Sequence, residues 1–182
     1  MEFTDGKFII RQYRPNDVEP LYEAARESVD QIYPWMEWCH PRFSQRDSKL
    51  WVNSREKDWK TGGEYSFVIT DALTKTFLGG CGINGMNRNH KFANLGYWVR
   101  TSATRNGAAT AATRLLAKFG FQELNLNRIE IVIALGNRPS ERVAEKTGAA
   151  REGILRRRLL IGNKAKDATM YSLIREDFTA GI

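Results

Sequence analysis

The chain has 182 residues, 42% of them hydrophobic and 27% charged, enough for one globular domain with its own core and too few for two. Its formal net charge of +7, from 28 Lys and Arg against 21 Asp and Glu, calls for an anionic partner, whether nucleic acid, an anionic cofactor or an acidic protein, and disfavours a polyamine substrate. No run approaches the roughly 18 consecutive apolar residues of a membrane span, and the acidic start Met1-Glu2-Phe3 is unlike a signal peptide.

Residues 8–13 read as a first strand, after which Pro15-Asn16-Asp17 opens a helix with Val18, Leu21, Tyr22, Ala25 and Val29 at helical spacing. An aromatic stretch follows at 32–41, containing Tyr33, Trp35 and Trp38. It either packs over the core or forms one wall of a substrate cleft. Ser44 with Asp47 three residues on resembles a capping box, and the helix it starts carries Leu50, Trp51 and Trp59 to a stop at Gly62-Gly63. Strands are expected at 65–70, 77–84 and 93–99, with turns at Asp71-Ala72 and around Asn87-Arg88-Asn89. A helix through Phe121 has Leu115, Leu116 and Phe119 as its core face. The apolar run 129–135 suits a buried strand. A helix over 139–147 stops at Gly148, and strands at 151–161 and 167–174 flank the turn Gly162-Asn163-Lys164. No repeat or linker interrupts the pattern. The expectation is one α/β (α+β) domain over 1–182, a largely antiparallel sheet flanked by helices.

Cys39 and Cys81 are far apart and lack metal-type spacing, which points to a reduced, cytoplasmic protein without a metal site. The chemistry concentrates at two junctions. The first is Tyr97-Trp98-Val99-Arg100-Thr101-Ser102-Ala103-Thr104-Arg105-Asn106-Gly107-Ala108-Ala109-Thr110, a strand running through a small-residue turn into a helix. Free N–H groups and the positive helix end make such a place a seat for phosphate, which Gly107, Ala108 and Ala109 leave uncovered. Arg100 and Arg105 add charge beside it. Neither the three-glycine dinucleotide fingerprint nor a P-loop is present. At the second junction a strand ends at Leu135-Gly136 and Asn137-Arg138-Pro139-Ser140 starts a helix. Ser140 there is either a local cap or an exposed reactive hydroxyl. Arg142 and Lys146, on the same helix, either meet phosphates or are solvated.

Taken in order, Leu95-Gly96-Tyr97-Trp98-Val99, the pattern from Asn137 through Ser140, Val143-Ala144-Glu145-Lys146 and Gly148, Arg151-Glu152-Gly153-Ile154-Leu155-Arg156, then Gly162 and Asp167 through Tyr171-Ser172-Leu173 resemble the GNAT-superfamily N-acetyltransferases. The resemblance runs nearly end to end and is strongest to the RimJ/RimL-like group of ribosomal-protein N-terminal (serine) acetyltransferases. It implies acetyl-CoA as co-substrate and no metal. It further implies that the backbone of Trp98, Val99 and Arg100 lies along the pantetheine arm. The N–H groups of Arg105, Asn106, Gly107, Ala108 and Ala109 hold the pyrophosphate, and Asn137 and Ser140 lie near the thiol end. One departure is that the turn has Thr104 where the family carries Gln or Arg, and Ala109 at the second glycine position.

The implied chemistry is direct attack of an amine on the thioester, with a backbone N–H near Val99 polarising the carbonyl and Ser140 protonating the leaving thiolate. The strand 93–99 carries no carboxylate. Candidate bases are therefore Glu152, Asp167, Glu37 and His40, or water, since an α-amino group titrates near 7.7–8.0 against about 10.4 for lysine. The acceptor expected from the resemblance is a protein N-terminus, an acidic ribosomal protein being favoured by the enzyme's charge. Tyr33, Trp35, Trp38 and Arg156-Arg157-Arg158 would form the cleft walls. A homodimer is left open, and no membrane or direct nucleic-acid contact is expected. The rivals are a small-molecule or antibiotic acetyltransferase and a nucleic-acid-binding module, the latter marked by steeply salt-dependent binding and no acetyl-CoA affinity.

Overall fold

The computed structural model describes residues 1–179. Strands β1 (Glu2–Thr4), β2 (Phe8–Gln12), β3 (Tyr65–Asp71), β4 (Phe77–Asn87), β5 (Phe92–Val99), β6 (Arg128–Ala134), β7 (Ala150–Ile161) and β8 (Lys164–Ile174) form one sheet. Its order is β1-β2-β3-β4-β5-β6-β8-β7. Every neighbouring pair is antiparallel except β5–β6. Helices α1 (Val18–Glu27), α2 (Val29–Ile32) and α3 (Gln45–Thr61) lie on one side, with α1 against β4 and α3 against β3. On the other side α4 (Ala108–Gln122) crosses β2, β4 and β5, and α5 (Arg138–Thr147) packs on α4 and β6. A short α6 (Arg175–Thr179) ends the described chain.

The period-2 rule sorts the two faces. Ala93, Leu95 and Tyr97 of β5 and Ile129, Ile131 and Ile133 of β6 are buried in the core under α4. The near-continuous apolar run 129–135 is thus a strand of largely alternating burial. Helix α4 sits close because Ala108, Ala112 and Gly120 face the sheet; a Cβ on Gly120 would come within 2.8 Å of Ile129 Cδ1. Helix α3 starts as its sequence indicates. The Ser44 N–H donates to Asp47 Oδ2 at 2.9 Å, the Asp47 N–H returns to Ser44 Oγ, and Gly62 closes the far end at φ 64°.

One strand and both ends of the first helix differ from expectation. β1 adds an unforeseen edge strand, too short for alternation to reveal. The helix expected from Pro15 begins as a 3-10 turn at Pro15–Asp17, where buried Asp17 takes both guanidinium nitrogens of Arg11 at 2.7 Å. That helix also breaks after Glu27, because Ser28 leaves helical geometry (ψ 6°) and its hydroxyl donates back to the Ala24 carbonyl at 2.6 Å.

One discontinuity in the sheet positions the site. β5 pairs with β4 as far as Val99, and β6 pairs with β8 as far as Ala134. The two strands pair with each other only at Phe92–Arg128, Ala93–Ile129 and Asn94–Glu130. Beyond that they diverge. Asn94 plugs the vertex: its amide donates to Asn84 Oδ1 at 3.1 Å and accepts the Val132 N–H at 3.4 Å.

Candidate active site

The edge of β5 that faces the gap follows from alternation. The Arg100 N–H donates to Leu78 O at 2.8 Å, toward β4. The N–H and C=O groups of Tyr97 and Val99 therefore point the other way, into the gap. At its open end β5 passes through a 3-10 turn (Thr101–Ala103) into α4, with Arg105 at φ 64° and Gly107 at φ 96°. Asn106 Oδ1 accepts the Ala108 N–H at 2.9 Å. Among the described residues nothing engages the N–H groups of Arg105, Asn106, Gly107, Ala109 or Thr110. These donors, at the positive end of a helix of 15 residues and uncovered by side chains, fit a diphosphate.

The end of α1 clamps this loop. Glu27 holds the Arg100 guanidinium (Nε at 2.9 Å) and accepts the Ser102 N–H at 2.6 Å, while Ser28 Oγ accepts the Thr101 N–H at 3.0 Å. Arg100, expected as a cation beside the phosphates, is thus tied to a carboxylate. Burial alone would raise the Glu27 carboxyl, but the bonds from Arg100 and Ser102 outweigh it and bring it from 4.5 to about 2. A depressed folded-state pKa stabilises the protein fully above the unfolded value, and that contribution is lost as pH falls toward 2. The thermal-stability gap between wild type and Glu27→Gln should therefore shrink as pH drops from about 6 to about 3. A gap independent of pH would mean that the charge of Glu27 contributes nothing.

Across the gap, α5 offers its own N-terminus. Asn137 caps it, Oδ1 accepting the Ser140 N–H at 3.3 Å. The Tyr97 hydroxyl spans from β5 to donate to the Ser140 carbonyl at 2.9 Å. Burial pushes that phenol upward, so it stays a donor. The Ser140 hydroxyl is half-buried and makes no hydrogen bond among the described residues. Lys146 is exposed further along α5, its carbonyl taken by Arg114 at 2.6 Å.

On the opposite face of β5 lies a cavity of about 550 Å³. Gly80, Gly82 and Gly96 form its floor, with Gly82 and Gly96 directly paired across β4 and β5. Tyr13, Trp38, Phe43, Trp51 and Trp98 are among its walls. Trp38 packs edge-on to Trp98 at 5.0 Å and to Phe43 at 5.6 Å. The aromatic stretch thus both packs on the core and walls the cleft. Trp38 and His40 line the cavity, but Tyr33 and Trp35 do not.

The structure engages the expected carboxylates elsewhere. Glu152 grips the Arg128 guanidinium at 2.6 and 2.5 Å and accepts the Ser172 hydroxyl at 2.7 Å, bonds that lower its carboxyl to about 2. It is not among the cavity-lining residues. Asp167 accepts the Arg157 N–H at 2.8 Å, and Glu37 accepts the Gly162 N–H at 2.5 Å, joining the β7–β8 turn to the aromatic stretch. Arg156, Arg157 and Arg158 are exposed around a bulge. Among the described residues no cluster of three or more His, Cys, Asp or Glu could hold a metal ion. No helix is long and apolar enough to cross a membrane.

The model of the acetyltransferase (GNAT) domain family matches residues 7–150. The chain belongs to the GNAT acetyltransferase family. This GNAT enzyme is similar to the uncharacterized N-acetyltransferase YoaA of Bacillus subtilis (strain 168), 30% identical over 174 residues that cover 93% of this chain and 94% of YoaA. It is also similar to the ribosomal-protein-serine acetyltransferase of Escherichia coli (strain K12), 26% identical over 163 residues, 87% of this chain and 88% of that protein. Among solved structures, Mycobacterium smegmatis RimJ in complex with CoA-disulfide has the same fold, with a TM-score of 0.84 at 24% identity over 97% of this chain and 86% of that one. The GNAT enzyme is an N-acetyltransferase with acetyl-CoA as its acetyl donor.

Sequence reasoning missed the roles of Tyr97, Asn94 and Glu27 and the glycine floor of the cavity. Glycines inside strands, at 79–82 and at 96, were a readable signal, because strand glycine often marks a close approach or a ligand.

Proposed function

We propose that the enzyme acetylates the N-terminal α-amino group of a protein, with a ribosomal protein as acceptor, in the cytoplasm. The observation that carries this reading is that one short segment, Gly96-Tyr97-Trp98, borders both chambers. Its edge faces the gap beside the phosphate seat, and its face lines the apolar cavity. An amine entering through the cavity meets a group lying in the gap at β5. The likeness to a ribosomal-protein-serine acetyltransferase supports a protein acceptor.

Bound acetyl-CoA supplies an acetyl group activated as a thioester. Arg105, Asn106, Gly107 and Ala109 hold the diphosphate by their N–H groups, and the β5 edge at Val99 orients the arm and offers an N–H to the carbonyl oxygen. Trp98, Arg100, Ala108, Asn137 and Lys146 complete the surround. As the new C–N bond forms and the C–S bond breaks, Ser140 gives its hydroxyl proton to the departing sulfur and takes one back from water, its position set by Asn137 and Tyr97. A carboxylate held near pKa 2, as Glu152 is, is a weak base. An α-amino group needs little help, and water takes its proton.

Ser140→Ala should lower kcat about 100-fold, the lower end of the range for a positioned acid, while the KM for acetyl-CoA changes little. An unchanged kcat would remove Ser140 from the chemistry. The acceptor is tested by mass spectrometry on paired peptides, one with a free N-terminus and one blocked there but containing lysine. Acetylation of the free N-terminus supports the proposal; modification of lysine alone overturns it.

A further inference from the structure

The likeness to serine-directed relatives says nothing about what this cavity would hold, and its own walls do not suit a serine. We infer that the acceptor amine is borne on a bulky apolar or aromatic group: for a protein N-terminus, a first residue such as methionine, leucine or phenylalanine. This deepens, and for its peptide form rests on, the N-terminal reading above.

Size is the first argument. The cavity of about 550 Å³ lies in the ordinary range for a small-molecule site, roughly 300–1,000 Å³, far beyond what a hydroxymethyl group fills. Its depth comes from the floor, where Gly82 faces Gly96 across the strands and neither has a side chain. A Cβ placed on Gly96 would meet nothing within 4 Å, so the space above it is open.

Rigidity is the second. Trp51 is covered by the Arg55 guanidinium, 3.5 Å from its ring centroid. Arg55 is itself buried and bonded to Asp58 at 2.7 Å and Glu64 at 3.2 Å. Trp38 is braced by Trp98 and Phe43. Rings fixed before binding lose little freedom when an apolar group slides between them. Both tryptophans remain more than a third exposed, with Leu50 beside them at 61%, so the apolar lining continues out to the mouth.

Charge is the third. No Lys or Arg lines the cavity of a protein whose net charge is +7, and its two acidic residues are Asp47 and Glu64. Glu64 is partnered by Arg55, but Asp47 makes no ion pair among the described residues; the Ser44 hydroxyl and N–H keep it ionised. The site therefore welcomes an ammonium group and an uncharged side chain, and repels an acidic first residue.

The test compares initial rates on peptides identical but for a first residue of Ser, Ala, Asp, Met, Leu or Phe, together with phenylethylamine and ethanolamine as free amines. The expected kcat/KM for Met, Leu and Phe exceeds that for Ser and Ala about tenfold or more, the scale set by even one methylene in an apolar pocket. Gly96→Val, confirmed folded by circular dichroism, should bring the Phe-to-Ala ratio toward one. Trp51→Ala, on α3 and outside the sheet, should also reduce it if Gly96→Val does not fold. Equal or better turnover of Ser or Ala peptides overturns the inference and leaves the N-terminal reading standing. Turnover of phenylethylamine without any peptide overturns the N-terminal reading and supports the inference. If no acceptor turns over, tryptophan fluorescence reports binding directly; quenching by phenylethylamine but not ethanolamine supports the inference, and equal or absent quenching overturns it.

Discussion

Gly107→Glu is expected to weaken acetyl-CoA binding at least about 100-fold, equivalent to some 2.7 kcal/mol. Gly107 caps α4 at φ 96°, and its N–H is one of the free donors of the phosphate seat. A glutamate there sets a negative charge at the helix end, where the field favours anions, and repels the diphosphate directly. Part of any loss will come from forcing a left-handed backbone on an L residue, at about 1–2 kcal/mol. Gly107→Ala isolates that part, since its Cβ would touch only Phe8 Cε2 at 3.9 Å. Titration calorimetry should therefore show a modest loss for the alanine variant and a far larger one for glutamate. Equal losses would attribute the effect to backbone strain and remove the anion seat from this turn.

Phe119→Ala should cost about 4 kcal/mol of folding stability, within the range of roughly 3–5 for a buried phenylalanine. Its ring, 1% exposed, is where four others converge: Phe67 at 5.1 Å, Tyr65 at 5.5 Å, and Phe3 and Trp59 both at 5.8 Å. Those rings come from β3, β1 and α3, so removing one side chain loosens three elements from α4. Each ring pair adds about 0.5–1.5 kcal/mol beyond burial, and a melting temperature lower by roughly 10 °C follows for a chain of this size. Twelve residues of helix, about 18 Å, separate Phe119 from Gly107. Well below the new melting temperature, acetyl-CoA affinity should hardly change. A cost below about 2 kcal/mol would mean that the neighbouring rings collapse into the space.

What could be read beforehand depended on whether a property is local. Ser44–Asp47 and Gly62 bound α3, and Gly148 ends α5, because caps are settled by a few adjacent side chains. The turn at Gly107 was legible for the same reason. The clamp at Arg100 was not: its partners Glu27 and Ser28 are more than seventy positions away, and an exposed-looking arginine gives no sign of where it will dock. Glu152 was misread in the same way, since Arg128 and Ser172 reach it only through strand order. The cavity was hidden for another reason. Its floor is glycine, with open space only above Gly96, and Gly80, Gly82 and Gly96 come together only once the β4–β5 register is known.

The divergence of β5 and β6 carries a cost that ordinary sheets avoid. It leaves two unpaired strand edges inside the molecule, each able to recruit a foreign strand, a hazard most proteins blunt with charge, proline or a covering loop. Tyr97 and Val99 do none of this; their edge is kept open. A ligand that hydrogen-bonds along it acts as the absent strand, so it should protect the protein as well as serve as substrate. At about 100 times its dissociation constant, acetyl-CoA would add roughly 2.7 kcal/mol to folding stability. Self-association on warming should be slowed in proportion, so the pool of donor in the cell would also set how long each copy of the enzyme lasts.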